Sequence, residues 1–200
     1  MTIGLVVLAG GASRRMGRDK AMILIDGEPM AARLLRLGRA AGFDPVCLAG
    51  RPGPLAGTDA AVLRVEDWLP DSGPLGGIAG ALAAIDGTLA VLAVDHPAMD
   101  PAAMAWLFAA ARDLPNERAG AVAVLDGRPE PLISIWRSSA LPVVRARLQA
   151  GDGSVIRCTA ALDFVEIRVP ADLHAPFTSA NTPEEWRSAR AKDGSRPDRR

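Results

Sequence analysis

A series of short, continuously apolar runs separated by longer amphipathic segments constrains this chain most. The runs cover 3–8, 45–49, 61–65, 89–94, 120–125, 132–135 and 164–169. They are rich in Val, Ile and Leu with few polar interruptions, the pattern of strands covered on both faces. Between them, helices are expected over 30–41, 76–86, 101–112, 138–150 and 183–191. Two of these have readable starts. Asp100-Pro101 puts a capping carboxylate ahead of a proline at the first helical position. Thr182-Pro183-Glu184-Glu185 does the same with a hydroxyl and closes a capping box through Glu185. Alternation of this kind predicts an α/β fold with a mostly parallel sheet. No repeat or linker divides the chain, so one domain is expected over 1–191. The stretch 192–200, rich in charge with Gly and Pro, reads as a disordered tail.

Charge narrows the partners. Lys+Arg and Asp+Glu both total 23 in 200 residues, so the formal net charge is zero. Binding to long nucleic acid calls for a basic excess that neutralises a run of phosphates, so any nucleotide ligand is expected to be small. The chain opens Met1-Thr2-Ile3-Gly4 with no basic stretch, and its first apolar run is too short for a signal peptide core or a membrane span. Cys47 and Cys158 lie far apart, with no His or Cys at metal-ligand spacing. They read as small core residues of a cytoplasmic protein.

The segment Leu8-Ala9-Gly10-Gly11-Ala12-Ser13-Arg14-Arg15-Met16-Gly17-Arg18-Asp19-Lys20 follows directly on the first run. Glycines let backbone approach a ligand closely, and consecutive N–H groups in such a turn form an anion-binding concavity. Arg14, Arg15, Arg18 and Lys20 surround it with positive charge, which suits a triphosphate. The loop is not that of P-loop NTPases, which ends in Gly-Lys-Ser/Thr at a helix start. Here Lys20 leads into Ala21-Met22-Ile23-Leu24-Ile25, an apolar run expected to be extended. The dinucleotide fingerprint G-x-G-x-x-G is not matched either.

Beyond the loop, Asp95-His96-Pro97 follows the run 89–94. A carboxylate there stands in the crevice where open α/β sheets bind ligands, and it suits Mg²⁺, a hard cation. Asp100 already supplies the following helix cap, so Asp95 is not needed for that. His96 is expected to point away from Asp95, into packing or solvent, because successive strand residues face opposite ways. Gly73-Pro74-Leu75-Gly76-Gly77 opens the helix 76–86, where free N–H groups can approach an anion or a base edge.

The loop string resembles the signature L-A-G-G-x-S-x-R-M-G-x-D-K of the molybdenum cofactor guanylyltransferases, within the nucleoside-triphosphate-dependent nucleotidyltransferases. The resemblance implies a three-layer sandwich with a Rossmann-like sheet, of the nucleotide-diphospho-sugar transferase type. It implies transfer of GMP from GTP to the phosphate of molybdopterin, with Mg²⁺ as cofactor. Acceptor molybdoenzymes or their chaperones are the implied protein partners. Carried onto this sequence, Leu8, Ala9, Gly10, Gly11, Lys20, Asp67, Gly73, Gly76 and Asp95 would bind the nucleotide, and Asp95 the metal. Lys20, Arg15 and Asp95 would carry catalysis. Glu130-Pro131-Leu132 matches a family segment on the acceptor side. The ending Ser179-Ala180-Asn181-Thr182-Pro183 is similar to the family's Asn-x-Asn-Thr-Pro, with Ser179 replacing the first Asn. Asn181 would either support the metal and its waters or serve only the turn before Thr182. After its second strand the family often carries an Asn that helps read guanine, and this chain has Gly50-Arg51 there. The alternatives are cytidylyl transfer to molybdopterin or another small phosphate acceptor, and a non-catalytic nucleotide-binding module.

Overall fold

The computed structural model describes residues 2–10, 19–50 and 62–193. Among these, the strands are β1 (Ile3–Leu8), β2 (Leu24–Ile25), β3 (Glu28–Pro29), β4 (Val46–Ala49), β5 (Leu63–Val65), β6 (Thr88–Ala93), β7 (Gly120–Leu125), β8 (Arg128–Arg137) and β9 (Phe164–Arg168). The helices are α1 (Met30–Ala41), α2 (Pro74–Ala84), α3 (Pro101–Arg112), α4 (Leu141–Gln149), α5 (Val155–Ala160), α6 (His174–Phe177) and α7 (Pro183–Asp193). Seven strands form one sheet in the order β5-β4-β1-β6-β8-β7-β9. All run the same way except β8, which is antiparallel to both β6 and β7. β2 and β3 form a separate small hairpin.

Helices cover both sheet faces, and β1 shows why its sequence is apolar throughout. Leu5 and Val7 point into the core beneath α1 and α3, where Leu34, Leu35, Met104 and Leu107 are buried. Val6 and Leu8 point into the opposite core beneath α2 and α4, with Ile78, Leu82, Val144 and Leu148. A strand between two such layers has no solvent face on which to place a polar residue. Cys47 and Cys158 are both free thiols in the second core, and burial pushes the Cys47 thiol up to about 12. No described helix is long and apolar enough to cross a membrane.

Both expected caps form. Asp100 Oδ1 accepts from the Ala103 amide at 2.8 Å. The Glu185 amide donates to Thr182 Oγ1 at 3.2 Å, while Glu185 Oε2 accepts from the Thr182 amide at 3.1 Å. Several expectations need correction. The run after Lys20 is not extended at its start: Lys20–Met22 is a 3₁₀ turn held by Asp19 Oδ1, which accepts from the Ala21 amide at 3.0 Å. The strand expected over 132–135 is the inner part of the ten-residue β8. α5 was not anticipated. The last helix continues to Asp193, two residues into the stretch read as a tail, and 194–200 lie outside the described residues.

The topology creates one crevice. From β1 the chain moves outward to β4 and β5, then returns to place β6 on the other side of β1. The ladder pairs Leu8 with both Ala49 and Ala93, so three strands end level with one another. The space beyond those ends is where α/β sheets of this kind bind ligands.

Candidate active site

Each strand end delivers a different group to this crevice. β1 leads to Gly10, in the glycine-rich segment. Gly11 and Arg15 of the expected site lie outside the described residues. β4 leads to Gly50, β5 to Asp67, and β6 to Asp95.

Lys20 and Asp95 meet although they are 75 residues apart. Lys20 Nζ donates to Asn181 Oδ1 at 2.8 Å, to the Ala180 carbonyl at 3.0 Å and to Asp95 Oδ2 at 3.4 Å. These acceptors match the three protons of the ammonium group. Their positions are fixed from behind. The Ala180 amide donates to the Asp95 carbonyl at 2.8 Å, and Trp186 Nε1 donates to the Ala180 carbonyl at 3.0 Å. The Asn181 amide donates to Glu185 Oε2 at 2.6 Å. Asn181 thus serves both the turn before α7, with its backbone, and the charged centre, with its side chain.

His96 is packed, one of the two expected fates, but it does not point away from Asp95. It is buried, and its Nε2 lies 3.6 Å from Asp95 Oδ1. The two-residue alternation fails here because β6 ends at Ala93, before either residue. Burial lowers the His96 pKa against the opposing pull of the Asp95 charge. His174 is unrelated to the site, its ring lying beside Asp126 and the Val169 carbonyl.

Two concavities lie beyond the strand ends. The first, about 310 Å³, lies between Leu8, Gly10 and Gly50 on one side and Asp67, Asp71 and Gly77 on the other. Its close packing depends on glycine. At Gly50, with φ +105°, a Cβ would come within 2.5 Å of the Gly10 amide nitrogen. At Gly77 a Cβ would press on Ala49, Leu8 and the Asp67 carboxylate. Of the residues expected to bind nucleotide, Leu8, Gly10, Asp67 and Gly73 line this cleft. Ala9 does not; its amide donates to the Ala49 carbonyl and ties β1 to β4. Gly76 does not either. It faces the turn 69–72, where a Cβ would collide with Ser72. Sequence reasoning had not singled out Gly77 or Asp71. Gly77 could have been found in the Gly76-Gly77 pair, whereas nothing in the spacing marks Asp71.

The second concavity, about 350 Å³, is lined by Asp95 together with Glu130 and Pro131 of β8 and Ser154 and Ile156 at the start of α5. Glu130 is half-buried there, and burial together with the negative charge of Asp95 raises its carboxyl pKa. α5 is held in place by Asp152, which accepts from Arg147 and Arg157, each at 2.7 Å.

Among the described residues, no three of His, Cys, Asp and Glu gather as a metal cage.

Comparison with known proteins places this geometry. The family model of the MobA-like NTP transferase domain matches residues 5–164, from β1 to the start of β9. The chain belongs to the MobA-like NTP transferase family. A member from Opitutus terrae, named a probable molybdenum cofactor guanylyltransferase, is 41% identical over 160 residues, covering 78% of this chain and 77% of its own. The molybdenum cofactor guanylyltransferase of Xanthomonas euvesicatoria is 35% identical over 185 residues, covering 90% of both. Among solved structures, molybdopterin-guanine dinucleotide biosynthesis protein A from Archaeoglobus fulgidus superposes with a TM-score of 0.78 at 21% identity, over 96% of this chain and all of that one. The 2-C-methyl-D-erythritol 4-phosphate cytidylyltransferase of Thermus thermophilus superposes at 0.68 with 16% identity, over 96% of this chain and 98% of that one. The fold is thus the nucleotide-diphospho-sugar transferase type expected from the sequence, and MobA-like members share it with enzymes that use other nucleotides.

Proposed function

We propose that this MobA-like protein transfers GMP from GTP to the terminal phosphate of molybdopterin, releasing pyrophosphate. The observation that carries the reading is the Lys20–Asp95–Asn181 centre, whose Asp95 lines one of two concavities beyond the strand ends. The names of the MobA-like relatives select the substrates. GTP would occupy the cleft walled by Gly10, Gly50, Asp67 and Gly77, with its phosphates along the glycine-rich loop. The acceptor would occupy the concavity beside Glu130.

The reaction is an in-line displacement. An anionic oxygen of the acceptor phosphate forms a bond to the α-phosphorus of GTP. The bond from that phosphorus to the oxygen bridging to the β-phosphorus breaks, and its electron pair leaves with pyrophosphate. The acceptor oxygen is already ionised near neutral pH, so no strong base is required. The obstacle is repulsion between a dianion and a polyanion, so positioning and positive charge are what the protein must supply. Lys20 supplies a fixed charge, held by Asp95, Ala180 and Asn181. Arg15 would add a second from the loop. Mg²⁺ held by Asp95 would neutralise phosphate charge that the two substrates bring together. Asn181 orients Lys20 through its side-chain oxygen. Two buried free thiols agree with a cytoplasmic location, and a finished cofactor would pass to an acceptor molybdoenzyme or its chaperone.

The test is product identification. Purified protein, GTP, Mg²⁺ and molybdopterin should yield the guanine dinucleotide by mass spectrometry, and Asp95→Ala should abolish it while retaining the native circular dichroism spectrum. No dinucleotide from the wild-type protein, or full yield from the variant, would contradict the proposal.

A further inference from the structure

The nucleoside cleft contains a second carboxylate placed to read the base. The residues lining it are Leu8, Gly10, Ala49, Gly50, Asp67, Asp71, Gly73, Pro74 and Gly77. Seven of the nine have no polar side chain. Among the described residues of this wall, only Asp67 and Asp71 can offer a side-chain hydrogen bond to a base or sugar, and both act as acceptors when ionised. Gly50 is locked out of such a role by its contact with Gly10.

The two acids occupy different positions. Asp67 lies deep, against the first turn of α2, with its Oδ1 about where Gly77 would begin to crowd it. Asp71 stands exposed at the outer rim, in a left-handed turn at φ +57° just ahead of Gly73. Among the described residues Asp71 has no hydrogen-bond or ion-pair partner. Its carboxylate is available to a ligand without first giving up a protein contact.

On the GTP reading above, we propose that Asp71 is a specificity-determining residue that accepts hydrogen bonds from the N1–H and 2-amino group of guanine. A carboxylate has two oxygens about as far apart as these two neighbouring donors, so the pair can bond side by side. Adenine and cytosine offer a single exocyclic amine beside a ring acceptor, which a carboxylate oxygen repels. Uracil offers one ring N–H between two carbonyls. The geometry favours guanine by attraction and disfavours the other bases by repulsion. Asp67, nearer the strand ends, is left to the ribose hydroxyls.

The experiment compares GTP with ITP, which lacks only the 2-amino group, in binding and in kcat/KM, with CTP as a third nucleotide. The wild-type protein should prefer GTP to ITP by about tenfold, the worth of one hydrogen bond to a charged acceptor. Asp71→Asn should reduce that ratio to within about twofold. Asn tolerates the left-handed conformation, and Asp71→Gly, which fits it better still, should give the same loss. Asp67→Asn should weaken GTP and ITP equally and keep their ratio. Retention of the full GTP:ITP preference in both Asp71 variants would overturn the assignment while leaving guanylyl transfer intact. A wild-type protein that uses GTP and ITP equally, both ahead of CTP, would do the same. A wild-type preference for CTP would overturn the GTP reading itself.

Discussion

Replacing Lys20 by methionine removes the charge at the centre of the site while keeping the length and apolar stem of the side chain. The Lys20 side chain is 13% exposed and that of Asp95 21%, so their interaction is only partly screened by water. Two consequences separate cleanly. The fold loses hydrogen bonds to Asn181 Oδ1 and the Ala180 carbonyl and a longer one to Asp95. Water can reach part of the site and replace some of them, so the expected cost is about 1–3 kcal/mol. For a domain of this size that lowers the melting temperature by roughly 2–10 °C, and the protein remains folded at 25 °C. The reaction loses a preorganised positive charge beside the phosphates, and loss of one such donor typically costs about 10²–10³ in kcat. The assay is pyrophosphate release with GTP, Mg²⁺ and molybdopterin at 25 °C, paired with thermal denaturation of the same preparation. Turnover should fall by at least a hundredfold, roughly, with the melting shift inside the stated range. A Lys20→Met protein with kcat within about threefold of wild type would refute the catalytic role of this charge, whatever its stability.

Other residues give independent checks. Gly50→Ala places a methyl group within 2.5 Å of the Gly10 amide at φ +105°; it should cost about 2–4 kcal/mol in urea denaturation, and a loss below about 0.5 kcal/mol would contradict the close packing of β4 on the loop. Asp152 has its pKa lowered to about 2 by Arg157, the Ser154 amide and Arg147. Its stabilising effect is therefore complete above the ordinary aspartate range and lost as the pH falls toward about 2. A carboxyl-carbon NMR titration should place its midpoint near that value, and a midpoint near 4, roughly the unperturbed value, would show that the arginine clamp on α5 is absent. The Cys47 thiol, pushed up to about 12 by burial, should resist a disulfide reagent at pH 8 in the native protein and react at once in guanidinium; rapid native labelling would contradict its place in the core.

The parts of the fold that were legible in the sequence are those fixed by local chemistry. β1 reads from 3 to 8 because its six residues are apolar on both faces, and α3 begins where Asp100 and Pro101 say it should. The outer half of β8 did not read as strand because Arg128-Pro129-Glu130-Pro131 has no apolar pattern. It pairs with β7 across a register shift between Val122 and Ala123, the kind of irregularity where proline is tolerated in a sheet. α5 spans only six residues and owes its position to Asp152 and its two arginines, a contact that periodicity does not carry. In the site, the glycine-rich loop and Asp95 could be recognised because each is contiguous with a strand. The bond from Lys20 to Asn181 joins residues 161 apart and could not be read from spacing. His96 stays beside Asp95 because both lie past the end of β6, where the alternation of a strand no longer holds. Asp71 is a loop acid like many others until the fold places it on the wall of a cleft whose other described side chains, Asp67 apart, are apolar.

The central claim is guanylyl transfer, and nucleotide discrimination tests it most directly. With molybdopterin as acceptor and Mg²⁺ present, pyrophosphate release should be fastest with GTP, with CTP, ATP and UTP each slower by at least about tenfold, as expected for a site that rejects bases lacking adjacent donors. Equal or greater release with CTP would contradict the account and place the protein with the cytidylyl enzymes that share its fold.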